Sequence, residues 1–262
     1  MKKFLAVLMI FAVLLAFAAC SKTENKPADV TPASDVSTPA PDEGTPDEGG
    51  ETDSAVMSYA EYAAADIDSA VTVETYVQAK QSWWDNKATL YTQDEDGAYF
   101  LYNMPCTEEE YALLVPGTKI RVSGFKSEWS GEVEIIDSQF EIIDGSFIAQ
   151  PTDVTALLGT DELIDYQNRL VSFKGMTVED SGDGAAFLYK WDGSGEDGDD
   201  LYFNVSSNGQ TYTFTVESYL CDKDSDVYAA VKALNVGDVV DMEGFLYWYE
   251  GVNPHITSVT AG

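Results

Sequence analysis

Aromatic rings set beside cations are the residues of this 262-residue chain whose types and spacing promise chemistry. Trp83 and Trp84 are adjacent, flanked by Lys80 and Lys87, while Trp129 follows Lys126, and Lys119 and Arg121 precede them. The flat face of an indole stacks on a sugar ring or a nucleobase, and a neighbouring cation suits an anionic group on the same ligand. A second aromatic run, Tyr247, Trp248 and Tyr249, has no basic residue beside it. Core packing or a domain contact is the expectation there.

Catalytic chemistry has less support. The chain has one histidine, His255, so any nucleophile–histidine pair would depend on it alone, and its place beside an apolar strand position reads as a surface or capping side chain. Asp-rich stretches occur at Asp94 to Asp96, Asp192 to Asp200 and Asp222 to Asp226, but none has the glycine and terminal acid of a calcium loop. Solvated turns account for them. Cys106 and Cys221 occupy matching places far apart in the chain, with no zinc-ligand spacing, and are expected to be separate thiols. Neither a cofactor nor a metal is expected, and the chain reads as a non-enzyme.

Charge limits the partners. Fourteen Lys and Arg stand against 46 Asp and Glu, a formal net charge of −32. A strongly acidic surface opposes non-specific association with nucleic acid, which counts against that partner class without excluding a small local patch.

The first 19 residues have the parts of an export signal: Lys2 and Lys3, the apolar run Phe4 to Phe17, then Ala18 and Ala19 directly before Cys20. Small residues followed by cysteine resemble the lipobox of bacterial lipoproteins. That resemblance implies a lipid on Cys20, and hence a protein held at the extracytoplasmic face of the cell membrane. Residues 20–55 are rich in Pro, Thr, Ser, Asp and Glu and contain no aromatic residue. Such a segment cannot bury enough apolar surface to offset its ordering entropy, and reads as a disordered tether with a reach of about 30–35 Å.

The elements that must position the aromatic residues come from an internal repeat. Gly117, Gly124 and Gly131 are spaced seven apart, and so are Gly237, Gly244 and Gly251. Without a gap, Ile120 and Val122 align with Val240 and Met242, Phe125 with Phe245, and Trp129 with Tyr249. Apolar and polar residues alternate before each middle glycine, the period of a half-buried strand, and the last glycine marks a turn back. Each copy is therefore expected to be a β-hairpin. A helix start precedes each one, Thr107 to Glu110 as a capping box and Ser225-Asp226 before Val227. Further upstream, strand-like runs cover Ala70–Ala79, Ala88–Tyr91 and Ala98–Tyr102 in the first half. In the second they cover Leu170–Val178, Ala185–Trp191, Leu201–Val205 and Tyr212–Val216.

Three or four strands, a helix and a closing hairpin is the element order of an OB-fold, a small Greek-key barrel. An immunoglobulin-like sandwich does not call for the repeated helix. The expected architecture is all-β with short helices: two OB-fold-like Greek-key barrels in tandem, residues 56–147 and 148–262, after the tether.

From Val56 onward the chain resembles tandem OB-fold modules of bacterial surface lipoproteins, through the two glycine-spaced hairpins and the helix before each. The resemblance implies a binding module, with ligands that range over oligonucleotides, oligosaccharides and proteins. In such barrels the loops between strands one and two and between strands four and five flank the ligand cleft. Here those loops are Gln81 to Asn86 and Lys126 to Ser130, so Trp83, Trp84, Trp129, Lys80, Lys87, Lys126 and Arg121 become the candidate ligand-binding residues, with an oligosaccharide or other polymer as the expected ligand. The alternatives are a protein–protein scaffold of the cell envelope, and an accessory to extracellular nucleic-acid or glycan processing. Tryptophans that merely plug a barrel end, with lysines as ordinary surface residues, are the competing explanation of the same pattern.

Overall fold

The repeated glycines act in the structure as steric requirements on two strand pairs. In the computed structural model, which describes residues 55–262, Gly117 and Gly237 have φ of 92° and 94°. Gly117 N–H donates to the Val77 carbonyl and Gly237 N–H to the Val178 carbonyl, each at 2.8 Å. A Cβ on Gly124 would stand 2.7 Å from the Ile136 carbonyl oxygen, and one on Gly244 2.2 Å from that of His255. Both middle glycines thus let a strand bend tightly over its neighbour at a bulge in the ladder. Gly131 and Gly251, with φ of 92° and 147°, follow Ser130 and Glu250 at φ 52°, and these pairs form the turns. Gly124→Ala and Gly244→Ala are each expected to destabilise the protein by about 1–3 kcal/mol, since the nearest obstructing atom is backbone in both. Thermal melts of the two variants check this.

Around these glycines the first barrel closes from β1 (Ala70–Lys80), β2 (Lys87–Gln93), β3 (Ala98–Pro105), β4 (Thr118–Trp129) and β5 (Glu132–Ser146). The order around the ring is β1-β2-β3-β5-β4, with β3 and β5 parallel and the other pairings antiparallel. Helix α2 (Glu108–Leu113) joins β3 to β4, and its capping box, Thr107 with Glu110, forms as the sequence suggests. An additional helix, α1 (Tyr59–Ala64), capped by Ser58 and Glu61, lies before the first strand. Its tyrosines pack on Tyr99.

The second barrel repeats this path. It opens with β6 (Thr152–Asp153), parallel to β7 (Leu170–Val178), then β8 (Leu188–Tyr189), β9 (Leu201–Ser207), β10 (Gln210–Val216), helix α3 (Asp226–Lys232), β11 (Val239–Phe245) and β12 (His255–Ala261). The β7–β9 pairing closes β7-β9-β10-β12-β11 in the same order as the first ring, with β10 and β12 parallel. The expected all-β architecture, two Greek-key barrels in tandem with short helices, is therefore the observed one.

Two local expectations change. The strand read over Ala185–Trp191 shrinks to Leu188–Tyr189, which pairs with β9, because the glycine- and aspartate-rich segments on either side of it bond their own turns. The second hairpin is also wider than the first: β11 ends at Phe245, and a loop narrowed by a Trp248–Val252 bridge carries the chain to β12. The signal segment 1–19, Cys20 and the tether as far as residue 54 lie outside the described residues.

Each barrel has its own core, around Val73, Leu90, Leu101, Ile120 and Ile135 in the first and Phe173, Phe203, Phe214, Tyr228 and Met242 in the second. A third cluster, Tyr91, Phe100 and Phe245, joins the barrels, with Leu170, Leu220 and Tyr247 against it. Both barrels belong to one compact unit.

Candidate functional site

The two copies of the repeated hairpin meet tip to tip. Glu250 N–H donates to the Ser130 carbonyl at 2.7 Å, and the rings of Trp129 and Tyr249, equivalent in the repeat, lie 5.2 Å apart at 36°. Beside this contact a groove follows the seam between the barrels. One hollow of about 460 Å³ is lined by Trp84, Phe100, Tyr102, Trp129, Tyr219 and Tyr247, among others. It shares Trp129, Glu217, Tyr247 and His255 with a second of about 610 Å³, which adds Trp191, Asp200, Tyr202 and Tyr249.

Local structure explains each exposed ring. Trp84 and Lys87 pair across a two-residue turn whose Asp85 and Asn86 have φ of 50° and 56°, which holds the indole outward, 80% exposed. Trp129, 54% exposed, is the last residue of β4 before the first hairpin's turn. Trp191, 76% exposed, sits in the long connection between β8 and β9, the second barrel's counterpart of the Gln81–Asn86 loop. Among the described residues, every exposed aromatic side chain except Phe125 lines this groove. The site thus uses the same strand face and the same two loops of both barrels.

The wall between the barrels is polar and tightly bonded. Gln81 Nε2 donates to both carboxyl oxygens of Glu217, at 2.9 and 2.8 Å, and Ser82 N–H donates to the Tyr219 carbonyl at 2.7 Å. Tyr91 Oη and His255 Nδ1 are 2.7 Å apart, a hydrogen bond whose direction follows the imidazole tautomer. Burial drives the His255 ring down to about 3, so it is neutral at pH 7. Its 3.5 Å approach to Glu217 is therefore no ion pair under those conditions. His255 is buried and not the surface or capping residue expected, because β12 begins at the seam and Tyr247 stacks on the ring at 4.3 Å.

Burial first, and then the nearby Asp200, raise the Glu217 carboxyl to about 7, although Gln81 opposes the shift. Glu132, wholly buried, is raised to about 8, again by burial above all. Its Oε2 accepts from Trp248 N–H at 2.9 Å and Gln167 Nε2 at 3.3 Å, while Oε1 has no hydrogen-bond partner.

Of the residues singled out in the sequence, the groove collects Trp84, Trp129 and Lys87. The other four are engaged elsewhere. Trp83 packs against the first core and donates from Nε1 to the Cys106 carbonyl at 3.3 Å. Lys80 donates to the Tyr111 carbonyl at 2.6 Å and lies over that residue's ring. Lys126 is buried, because Nζ caps the end of α1 with bonds to the carbonyls of Tyr62, Ala63 and Ala65 at 2.8–3.1 Å. Arg121 is held on the outer face between Glu74 and Glu141, its partners in the β1 and β4–β5 registers.

Sequence reasoning missed Tyr102, Trp191, Tyr202, Glu217 and Tyr219, and assigned Tyr247 and Tyr249 to packing. Only Tyr249 carried a usable signal, its alignment with Trp129. Cys106 and Cys221 are both free.

The class of protein that these observations define is a tandem OB-fold chain with an aromatic groove along its inter-barrel seam. No family model matches the chain, and no curated sequence relative does either. Among solved structures, similarity extends to a murine DNA-binding protein bound to double-stranded DNA, at 9% identity and TM-score 0.36, over 73% of this chain and 96% of that one. It extends also to the p204 HINb domain, at 10% and 0.34 over 75% and 98%, and to a deletion mutant of the single-stranded DNA-binding protein from Thermus aquaticus, at 14% and 0.24 over 74% and 93%. At these scores the likenesses carry no argument, and the fold assignment rests on strand order.

Proposed function

We propose that this chain is a non-enzymatic binding module that takes an oligosaccharide or similar extended polymer into the groove between its barrels. The observation that carries the reading is the convergence of exposed rings from both barrels on one groove. Large apolar side chains left in water cost free energy unless a ligand covers them, and stacking rings set along a groove suit a chain of flat repeating units. The binding surface is wider than the loops of the first barrel, since Trp191, Tyr202, Tyr219, Tyr247 and Tyr249 belong to the second. Against catalysis stands the one histidine, buried against Tyr91, and the Glu217 carboxyl, bonded at both oxygens by Gln81. Export and lipid anchoring through Cys20 are part of the proposal and would place this module outside the cell at the membrane surface.

Trp129→Ala and Trp84→Ala test the reading on an oligosaccharide array. Each is expected to weaken binding by about 1–3 kcal/mol, the contribution of one stacked ring. Melting temperature should hardly move, because both rings are more than half exposed. Binding unchanged in both variants would remove the groove from consideration. New reducing ends after prolonged incubation with the bound glycan would overturn the non-enzymatic part.

A further inference from the structure

The cations that would equip an aromatic groove for an anionic ligand are almost all spent before they reach it. Lys126 caps α1 and Lys80 is bonded to the helix α2 backbone. Arg121 and Lys119 both bind Glu74 on the outer face. Lys87 is the basic residue in the lining of the two hollows, at the end near Trp84. The middle carries carboxyl groups instead: Glu217 in both hollows and Asp200 in the second. Tyr247, which lines both hollows, has its hydroxyl pushed up by burial first and then by Glu132, Glu134 and Glu217.

We infer that the groove selects an uncharged, hydroxyl-rich glycan chain and rejects polyanions, with Glu217 and Asp200 as the residues that set this selectivity. The inference rests on the groove being the binding surface. A pyranose ring offers a C–H face to an aromatic ring and hydroxyl donors around its edge, and carboxyl oxygens accept such donors well. Phosphate, sulfate and uronate groups offer oxygen acceptors without a proton, and in this wall they meet Asp200 and, once it ionises above about pH 7, Glu217 as like charges. Asn103 and Asn253, with amides that both donate and accept, complete a lining matched to hydroxyls. Asp200 is held in place by Ser218, whose N–H and hydroxyl both donate to Oδ1, at 2.8 and 2.7 Å. Its second oxygen is left for a ligand.

The experiment uses the full chain with neutral hexasaccharides (β-1,4-glucan, β-1,4-xylan, β-1,4-mannan and β-1,3-glucan) and three polyanions: a hexagalacturonate, a heparin hexasaccharide and a thymidine dodecamer. At least one neutral chain is expected to bind, with an affinity that changes less than about two-fold between about 50 and 500 mM salt and that falls in Trp129→Ala. No polyanion should bind the wild type. In Glu217→Gln/Asp200→Asn, which keeps shape and one acceptor oxygen on each side chain, binding of a polyanion should appear or rise at least about ten-fold, a change of about 1.4 kcal/mol. A melting curve confirms that the variant is folded.

A polyanion that binds the wild type through Trp129 overturns the selectivity while leaving the groove as the site. A neutral glycan whose binding ignores both Trp129 and Trp84 overturns the groove itself. Silence from every neutral chain, or unchanged polyanion exclusion in the folded double variant, also overturns the inference.

Discussion

Phe245→Ala is expected to destabilise the protein by about 3–5 kcal/mol and to uncouple its barrels, whereas Phe125→Ala, at the equivalent place in the repeat, should change stability by less than about 1 kcal/mol. The two phenylalanines follow the two middle glycines and occupy the same position in β11 and β4. Phe245 is 3% exposed and stacks on Tyr91 with ring centroids 4.4 Å apart at 15°, whereas Phe125 is 46% exposed. Removing the Phe245 ring leaves a cavity bounded by Tyr91 and Phe100, which neither barrel can fill without moving toward the other. Calorimetry should resolve the single transition of the parent into two in the variant, since each barrel keeps its own core. Equal effects from the two substitutions would show that the seam cluster contributes little, and the groove that depends on it would lose its support.

Glu132→Gln is expected to stabilise the protein at pH 8 and above, by on the order of 3–5 kcal/mol, and to leave it nearly unchanged at pH 4. The carboxyl is raised from its ordinary value of 4.5 to about 8 by burial at the seam. The folded state therefore holds a proton that the unfolded chain releases. Its contribution is fully present below about pH 4.5 and is lost as pH rises toward 8, where ionisation places an uncompensated charge between the barrels. Glu217, raised to about 7, acts in the same direction over a narrower window.

The glutamine keeps an acceptor for Trp248 N–H and Gln167 without that charge. The measurement is the difference between variant and parent in denaturant midpoint across this pH range, which cancels the shared effect of the many surface acids. Parallel curves would mean that water or a rearranged side chain compensates the charge.

The seam links these two results to binding. Because the groove is lined from both barrels, whatever separates them should also reduce ligand affinity, so Phe245→Ala is expected to weaken glycan binding although Phe245 is not among the lining residues. Ligand added in excess should in turn raise the transition at which the barrels separate.

Much of the architecture is legible in short-range sequence, and the reasons are local. A glycine at φ above 90°, a glycine too close to a carbonyl for a Cβ, and a two-residue turn at seven-residue spacing are steric conditions that a few neighbouring residues impose on themselves. The same holds for Thr107 with Glu110 and for Ser225, whose side chains satisfy free N–H groups one turn on. These signals, repeated at the same interval, determined two hairpins, two capped helices and hence two barrels with one strand order.

The fate of each aromatic and basic side chain was decided by tertiary structure alone. Trp83 and Trp84 are neighbours in sequence, yet one packs on the core and the other stands in the groove. Phe125 and Phe245 are equivalent in the repeat, yet only the second meets Tyr91. Lys126 looked free until α1, which begins 67 residues before it in the chain, presented three carbonyls to its amine. The physical reason is that backbone geometry is set by contacts within a few residues, whereas burial and charge pairing depend on which face another element covers. At the seam the covering element is the other copy of the same barrel, and the residues that choose its docked position, Tyr91, Glu132, Glu217 and His255, are far apart in the chain.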